Sequence, residues 1–314
     1  MRCEVRLLLV LASVLAMPGA HAMNTAPLNT AWLDRAWDFN RPAETETRFR
    51  HELETLSTSA VARLELLTQI ARAQGLQRQF DAAHATLDVV EKALGGRAPR
   101  VAIRYLLERG RVYNSSRQPE RATPLFQQAL DKARIAHEDF LAIDAAHMLG
   151  IAAAVDERLR WNLEALAMTE RTDDARSKRW LASLYNNIGW TYHERGEYTT
   201  ALEYFEKALP AWEARGGVDN VRFARWAIAR AYRSLGRYDD ALAIQRGLVV
   251  EGAEAGAPDG YVDEELGELL LAKGDPAAAR PHFARAFELL GADAGLRQSE
   301  PERLARLKRL GGVE

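Results

Sequence analysis

The chain has 314 residues, 47% of them apolar and 27% charged, with 42 Lys and Arg against 44 Asp and Glu. A formal net charge of -2 provides no electrostatic footprint for nucleic acid or anionic lipid. The single cysteine, Cys3, excludes an intramolecular disulfide and a zinc-thiolate site, and 11 prolines and 21 glycines mark boundaries rather than low complexity.

In chain order, Arg2 and Arg6 precede an uncharged run from Leu7 to Met17 and then Ala20-His21-Ala22. This is the layout of a secretory signal peptide, residues 1–22, cut after Ala22. The apolar run is about half of the roughly 20 residues that a membrane span needs, so no stable membrane insertion is expected after cleavage. Cys3 stands before the apolar run, which argues against an acylated lipoprotein cysteine. Loss of the leader leaves a thiol-free chain with a net charge near -3, suited to an oxidising compartment. The expected location is the periplasm, with full secretion as the other possibility.

Residues 23–63 read as an N-terminal extension and a capping helix. Trp32 and Trp37 stand out in an otherwise polar stretch and are expected to dock the extension on the first helices. Phe49, Leu53 and Leu56 then recur at helical spacing among charges.

From Leu64 to Asp293 the pattern becomes one of paired amphipathic helices in about six units, 64–97, 103–136, 139–172, 182–215, 222–255 and 260–293. The first carries Leu67, Ile70, Ala71, Phe80, Ala83, Leu87 and Val90; the second carries Leu106, Gly110, Tyr113, Ala122, Phe126, Ala129 and Leu130. The third keeps Ala146, Leu149, Ala165 and Leu166 but has Arg158 where a small residue is expected, so its register floats by a few residues. In the fourth, Leu184 to Ala211 reads LYNNIGWTYHERGEYTTALEYFEKALPA, and RSLGRYDDALA in the fifth parallels HERGEYTTALE within it. The sixth shares a detail with the second: Pro119, Pro124, Phe126 and Ala129 match Pro276, Pro281, Phe283 and Ala286 in spacing. The first proline of each pair should open a helix, with Asp275 as N-cap before Pro276, and the second should bend it slightly. Unit starts lie 36 to 43 residues apart, with the excess in polar joints such as Thr172 to Arg179 and Arg215 to Asn220.

Tyr185, Ile188, Gly189, Tyr192, Gly196, Tyr198, Ala201, Phe205 and Ala208 fit an aromatic, then x2-Leu-Gly-x2-Tyr, then Ala-x3-Phe. The fourth unit therefore resembles a tetratricopeptide repeat, with Tyr185 for Trp and Ile188 for Leu. Gly189 and Ala201 would let two antiparallel helices approach, and Gly196 would turn between them with a left-handed backbone. One hairpin cannot bury its own apolar face, so the units must stack. The fold expected is all-α: a right-handed superhelical solenoid of about six helix pairs with capping helices at both ends. Residues 294–314 supply the last cap, with Pro301 opening an amphipathic helix whose outer face is basic.

Enzyme signatures are missing from the sequence: it has no phosphate loop, no Gly-x-Ser-x-Gly, no His-Glu-x-x-His and no calcium loop. The histidines His51, His84, His137, His147, His193 and His282 have no metal-ligand spacing, so neither a metal nor another cofactor is expected.

The resemblance implies a binding groove on the inner face, lined by first-helix residues off the packing stripe. Carried over unit by unit, these are Arg72, Arg111, Asn114, His147, Asn186, Asn187, Trp190, Glu194, Trp226, Arg230, Arg233, Tyr261, Glu264 and Glu268. Asn186 and Asn187 suit backbone capture, Arg230 and Arg233 a carboxylate, Trp190 and Trp226 flat apolar contact. The family's chaperone-type carboxylate clamp is not expected, because Trp190, Ala227 and Glu265 break its Asn and Lys/Arg pattern. The groove reads as basic early and acidic late.

The function expected is an exported, non-enzymatic scaffold that takes a protein or extended peptide in this groove. The alternatives are a periplasmic sensing module that binds a small ligand or peptide and signals to a membrane partner, or a hydrolase or cell-wall enzyme with an unrecognised site.

Overall fold

A computed structural model describes residues 28–55, 59–95 and 98–313. The signal-peptide segment, Leu56 and Glu314 lie outside the described residues.

Sixteen α-helices and one 3-10 turn make up the described chain. A short α1 (Thr30–Ala36) and α2 (Pro42–Thr55) come first. Six hairpins follow: α3 (Ala60–Leu76) with α4 (Phe80–Ala93), α5 (Pro99–Ser115) with α6 (Pro119–Ile135), and α7 (Asp139–Ala152) with α8 (Val155–Arg171). After a 3-10 turn at Ser177–Trp180 come α9 (Leu181–Glu194) with α10 (Tyr198–Arg215), α11 (Val218–Ser234) with α12 (Tyr238–Glu254), and α13 (Gly260–Ala272) with α14 (Pro276–Gly291). α15 (Ala294–Ser299) and α16 (Pro301–Gly311) close the chain. Each helix packs mainly on its neighbours in sequence, which makes the molecule an all-α superhelical repeat.

The hairpins are held by one recurring contact. A Cβ placed on Gly110 would lie 2.5 Å from the Phe126 ring, one on Gly189 2.6 Å from Phe205, and one on Gly267 2.9 Å from Phe283. All three rings are buried. The small residue and the ring stand sixteen positions apart in every case, so the backbone of the first helix sits on the face of a phenylalanine from the second. Where the first member is alanine the second shrinks: Ala71 stands opposite Leu87, and Ala229 opposite Gln245. Gln245 is fully buried and neither polar atom of its side chain has a hydrogen-bond partner.

The third hairpin explains its own unclear register. α7 ends two residues past Gly150, whereas α5, α9 and α13 run five residues past Gly110, Gly189 and Gly267, and only Ala153 and Ala154 separate α7 from α8. Gly150 therefore meets its partner, Asn162, after twelve residues rather than sixteen, with the missing Cβ site 2.6 Å from the amide.

Helix ends follow the sequence. Pro99, Pro119, Pro276 and Pro301 each stand in the first turn, and the Asp275 side chain accepts from Ala278 N–H. Pro124 and Pro281 lie inside α6 and α14, and α10 continues past Pro210 to Arg215. The joint at Arg215 to Asn220 is only Gly216 and Gly217 between two lengthened helices, at φ 82° and 108°. The hairpin turns differ along the chain. Gly196, Gly236 and Gly274 hold the left-handed backbone in the last three hairpins, whereas Arg78 (φ 62°) and Arg117 (φ 64°) hold it in the first two.

At the N-terminus Trp32 and Trp37 pack on Phe49 of α2, with ring centroids 5.9 and 5.3 Å away. At the C-terminus Leu304 and Leu307 of α16 join the core around Phe283. The expected outward basic face of α16 is corrected: Arg303 and Arg306 turn toward α13, where buried and half-buried glutamates hold them.

Candidate functional site

The first helices α3, α5, α7, α9, α11 and α13 line the inner face, and their polar side chains are paired from one repeat to the next. Arg104 of α5 donates to Glu65 of α3 at 2.7 Å, and both are buried. Glu108 accepts from Arg111 at 2.7 Å and lies 3.6 Å from Arg72; Arg111 also donates to Asp144 of α7. Burial pushes the Asp144 carboxyl up, but Arg111 and Arg72 outweigh it and hold the group below its ordinary value. His147, one turn on, is buried against the Trp180 ring at 4.8 Å and lies 3.5 Å from the Asn187 amide. Burial lowers its pKa to about 4, against the pull of Asp144, so the ring is neutral at physiological pH.

The N-terminal segment lies over this half of the face. Leu28 N–H donates to Glu65, Trp37 Nε1 donates to Gln69, and Asp34 sits 3.7 Å from Arg179 beyond α8. Trp37 stacks on Phe39 at 4.6 Å, and the Arg72 guanidinium packs over both rings.

The other half is open and aromatic. Phe223 stacks on Trp226 at 5.8 Å and Trp226 meets Trp190 at 5.7 Å, which makes a stripe across α9 and α11. Two cavities adjoin it. One, of about 530 Å³, runs from Asp219 and Phe223 to Pro258 and Tyr261; the other, of about 470 Å³, holds Trp190, Arg230, Arg233 and the α13 glutamates. Trp226 and Tyr261 line both. Glu265 accepts from Arg230 at 3.0 Å and Arg233 at 2.5 Å, while Glu264 and Glu268 hold Arg303 and Arg306 of α16. Burial raises the Glu265 pKa to about 7 against Arg233, with Glu268 and Glu264 adding to the rise.

The structure thus divides the residues that the sequence singled out. Arg72, Arg111 and His147 belong to the paired ladder; Trp190, Trp226, Arg230, Arg233, Tyr261, Glu264 and Glu268 gather around the second cavity. Asn187 turns to His147, and Asn186 directs its amide at Asn187 at 3.5 Å with its buried carbonyl oxygen unpartnered, so neither amide stands open for a peptide. Asn114 lies at the hairpin-turn edge near Pro119 and Arg158, away from the others, and Glu194 lies 3.9 Å from Arg158. The expected gradient from basic to acidic is also corrected: Glu65, Glu108 and Asp144 neutralise the early arginines, and Arg303 and Arg306 the late glutamates. These partners were missed by reading one repeat at a time. The signal was opposite charges about one repeat apart, as at 65 and 104, 111 and 144, 230 and 265, or 264 and 303. Among the described residues no group of three or more His, Cys, Asp or Glu is placed to hold a metal, and no helix is long and apolar enough to cross a membrane.

The tetratricopeptide repeat family matches residues 155–214 and 180–246. The match spans α8 to α12, less than a third of the chain. The repeats on either side share their helix lengths and, in the second and sixth, their glycine-on-phenylalanine contact. No curated protein matches the chain.

Among solved structures, the apo form of RapI is similar over 90% of this chain and 80% of its own, at 13% identity and a TM-score of 0.66. A tetratricopeptide repeat protein from Parabacteroides merdae is similar over 90% of this chain and 98% of its own, at 14% identity and 0.53. A Rap protein complexed with competence and sporulation factor is similar over 89% and 82%, at 17% identity and 0.54. At these identities the likeness is one of fold.

Proposed function

We propose that the chain is a non-enzymatic scaffold that binds an extended segment of a protein, or a peptide, along the aromatic stripe of its last three repeats. The observation that carries this reading is the Phe223, Trp226 and Trp190 stripe with a cavity at each side, on the face solenoids commonly use for partners. Flat aromatic side chains bind with small loss of conformational freedom, and the surrounding arginine and glutamate pairs provide a polar rim. That a protein of similar fold was crystallised with competence and sporulation factor supports partner binding by this architecture. The leader-like start and the thiol-free remainder support work in the periplasm or outside the cell. A sensing role for the same chain is favoured by one observation, the cavity of about 270 Å³ under the N-terminal segment.

The test is selection of peptides from a random display library on the full chain, followed by titration of the enriched peptides into Trp190→Ala and Phe223→Ala variants. Loss of affinity by about ten-fold or more in equally folded variants supports the reading, as truncation of an aromatic hot spot commonly does. Enriched peptides that bind both variants as tightly as the parent, or a library that yields none, overturn it.

A further inference from the structure

The N-terminal segment borders a chamber of about 270 Å³ against the first four repeats, open to solvent on one side. Its walls are aromatic: Trp37 and Phe39 from the segment, Phe140 from α7 and Trp180 from the 3-10 turn. Four arginines and two aspartates line it. Arg104 is taken by Glu65, Arg179 by Asp34, and Asp144 by Arg111. Two arginines have no hydrogen-bonded carboxylate among the described residues.

Arg72 is the first. Its closest carboxylate oxygen, on Glu108, is 3.6 Å away, beyond a good hydrogen bond, and Glu108 is already engaged by Arg111. Arg72 makes no hydrogen bond among the described residues, although a guanidinium carries five N–H donors. Burial and the neighbouring Arg111 lower its pKa. Arg215, at the end of α10, is the second. It packs over Trp212 at 5.2 Å and has no carboxylate partner among the described residues; burial and Arg179 lower its pKa as well. Arg72 thus has no hydrogen-bonded partner and Arg215 no carboxylate, so both have N–H donors to offer a bound anion.

We propose that this chamber is a binding site for a small, flat organic carboxylate, held by Arg72 and Arg215 between the aromatic walls. The shapes agree. A carboxylate matches the fork of a guanidinium, and a planar body suits a chamber lined by the rings of Trp37, Phe39, Phe140 and Trp180. The volume is close to the lower end for small-molecule pockets, which suits one aromatic ring system with a short acidic arm. The site is separate from the aromatic stripe of repeats 4 to 6, so the two readings stand or fall apart.

Indole-3-acetate and phenylacetate serve as probes, titrated into the full chain by calorimetry and by tryptophan fluorescence, with indole and acetate as controls. Expected are saturation by both aromatic carboxylates, binding at least about ten-fold tighter than either control, and a loss of about ten-fold or more in Arg72→Gln and in Arg215→Gln. Arg230→Gln, in the other cavity, leaves the affinity unchanged. Arg215 stands at the rim and is exposed, so its variant keeps the test alive if Arg72→Gln fails to fold. Absence of saturation by either probe, indole binding as tightly as indole-3-acetate, or full affinity in the Arg215→Gln variant overturns the proposal.

Discussion

The first three repeats and the last three present the same helix faces and use them differently. In the first half Glu65, Arg104, Glu108, Arg111 and Asp144 are paired with one another in near-complete burial under the N-terminal segment. In the second, the stripe from Phe223 to Trp190 is uncovered, and most of its ion pairs have a partner in contact with water. The comparison teaches that charge on an inner face is no guide to binding until its partner one repeat away is known. A buried ladder fixes how repeats stack, because removing one member strands a charge, whereas exposed pairs are easily exchanged for a ligand's.

The largest effect that would break this contrast comes from the ladder itself. Asp144→Ala leaves Arg111 buried with one carboxylate fewer and is expected to cost about 3–5 kcal/mol, while Glu268→Ala, which frees the half-exposed Arg306, should cost about 1 kcal/mol or less. Equal shifts in the denaturation midpoint of the two variants would remove the distinction between the halves.

Next in size is an opposition in pH dependence. His147 is held neutral, with its pKa depressed from about 6.5 to about 4; the unfolded chain therefore takes up a proton before the folded one, and stability falls as pH drops through that window. Glu265 is raised from about 4.5 to about 7; here the unfolded chain loses its proton first, and stability falls as pH climbs through that window. Each amounts to about 3 kcal/mol over its full range. The two slopes oppose in the parent between pH 4.5 and 6.5. In His147→Gln, stability should rise as pH falls from 7 to 4.5; in Glu265→Gln it should fall as pH falls from 6.5 to 4. Denaturation midpoints across pH 4 to 8 read both, and matching slopes in the two variants would refute the assignment.

The smallest effect sharpens the comparison at the fifth hairpin. Gln245→Met keeps the volume and removes two unpartnered polar atoms opposite Ala229, so it is expected to raise stability by about 1 kcal/mol. An unchanged or lower melting temperature would mean that the amide is satisfied.

Much of the fold was legible because three of the six hairpins carry their main contact as a glycine and a ring sixteen positions apart: Gly110 with Phe126, Gly189 with Phe205, Gly267 with Phe283. The third hairpin was hard to place because α7 ends two residues past Gly150, which shortens that interval, and Asn162 replaces the ring. The groove was legible only in part. A first-helix position identifies Arg72 or Arg111 as inward, but whether either is free depends on Glu108 and Asp144, each on the next helix of that face. The docking of α1 across four repeats had no periodic signal at all; Asp34 meets Arg179 only because the superhelix brings them together.

That last contact has a mechanical meaning. A stacked array of hairpins behaves as a spring, with compliance spread along its coils. The segment from Leu28 to Phe39, fastened at Glu65 and Gln69 and reaching Arg179, acts as a brace across the first coils. The coils beyond α9 lie past that brace, and glycine rather than arginine sits at each of their hairpin bends.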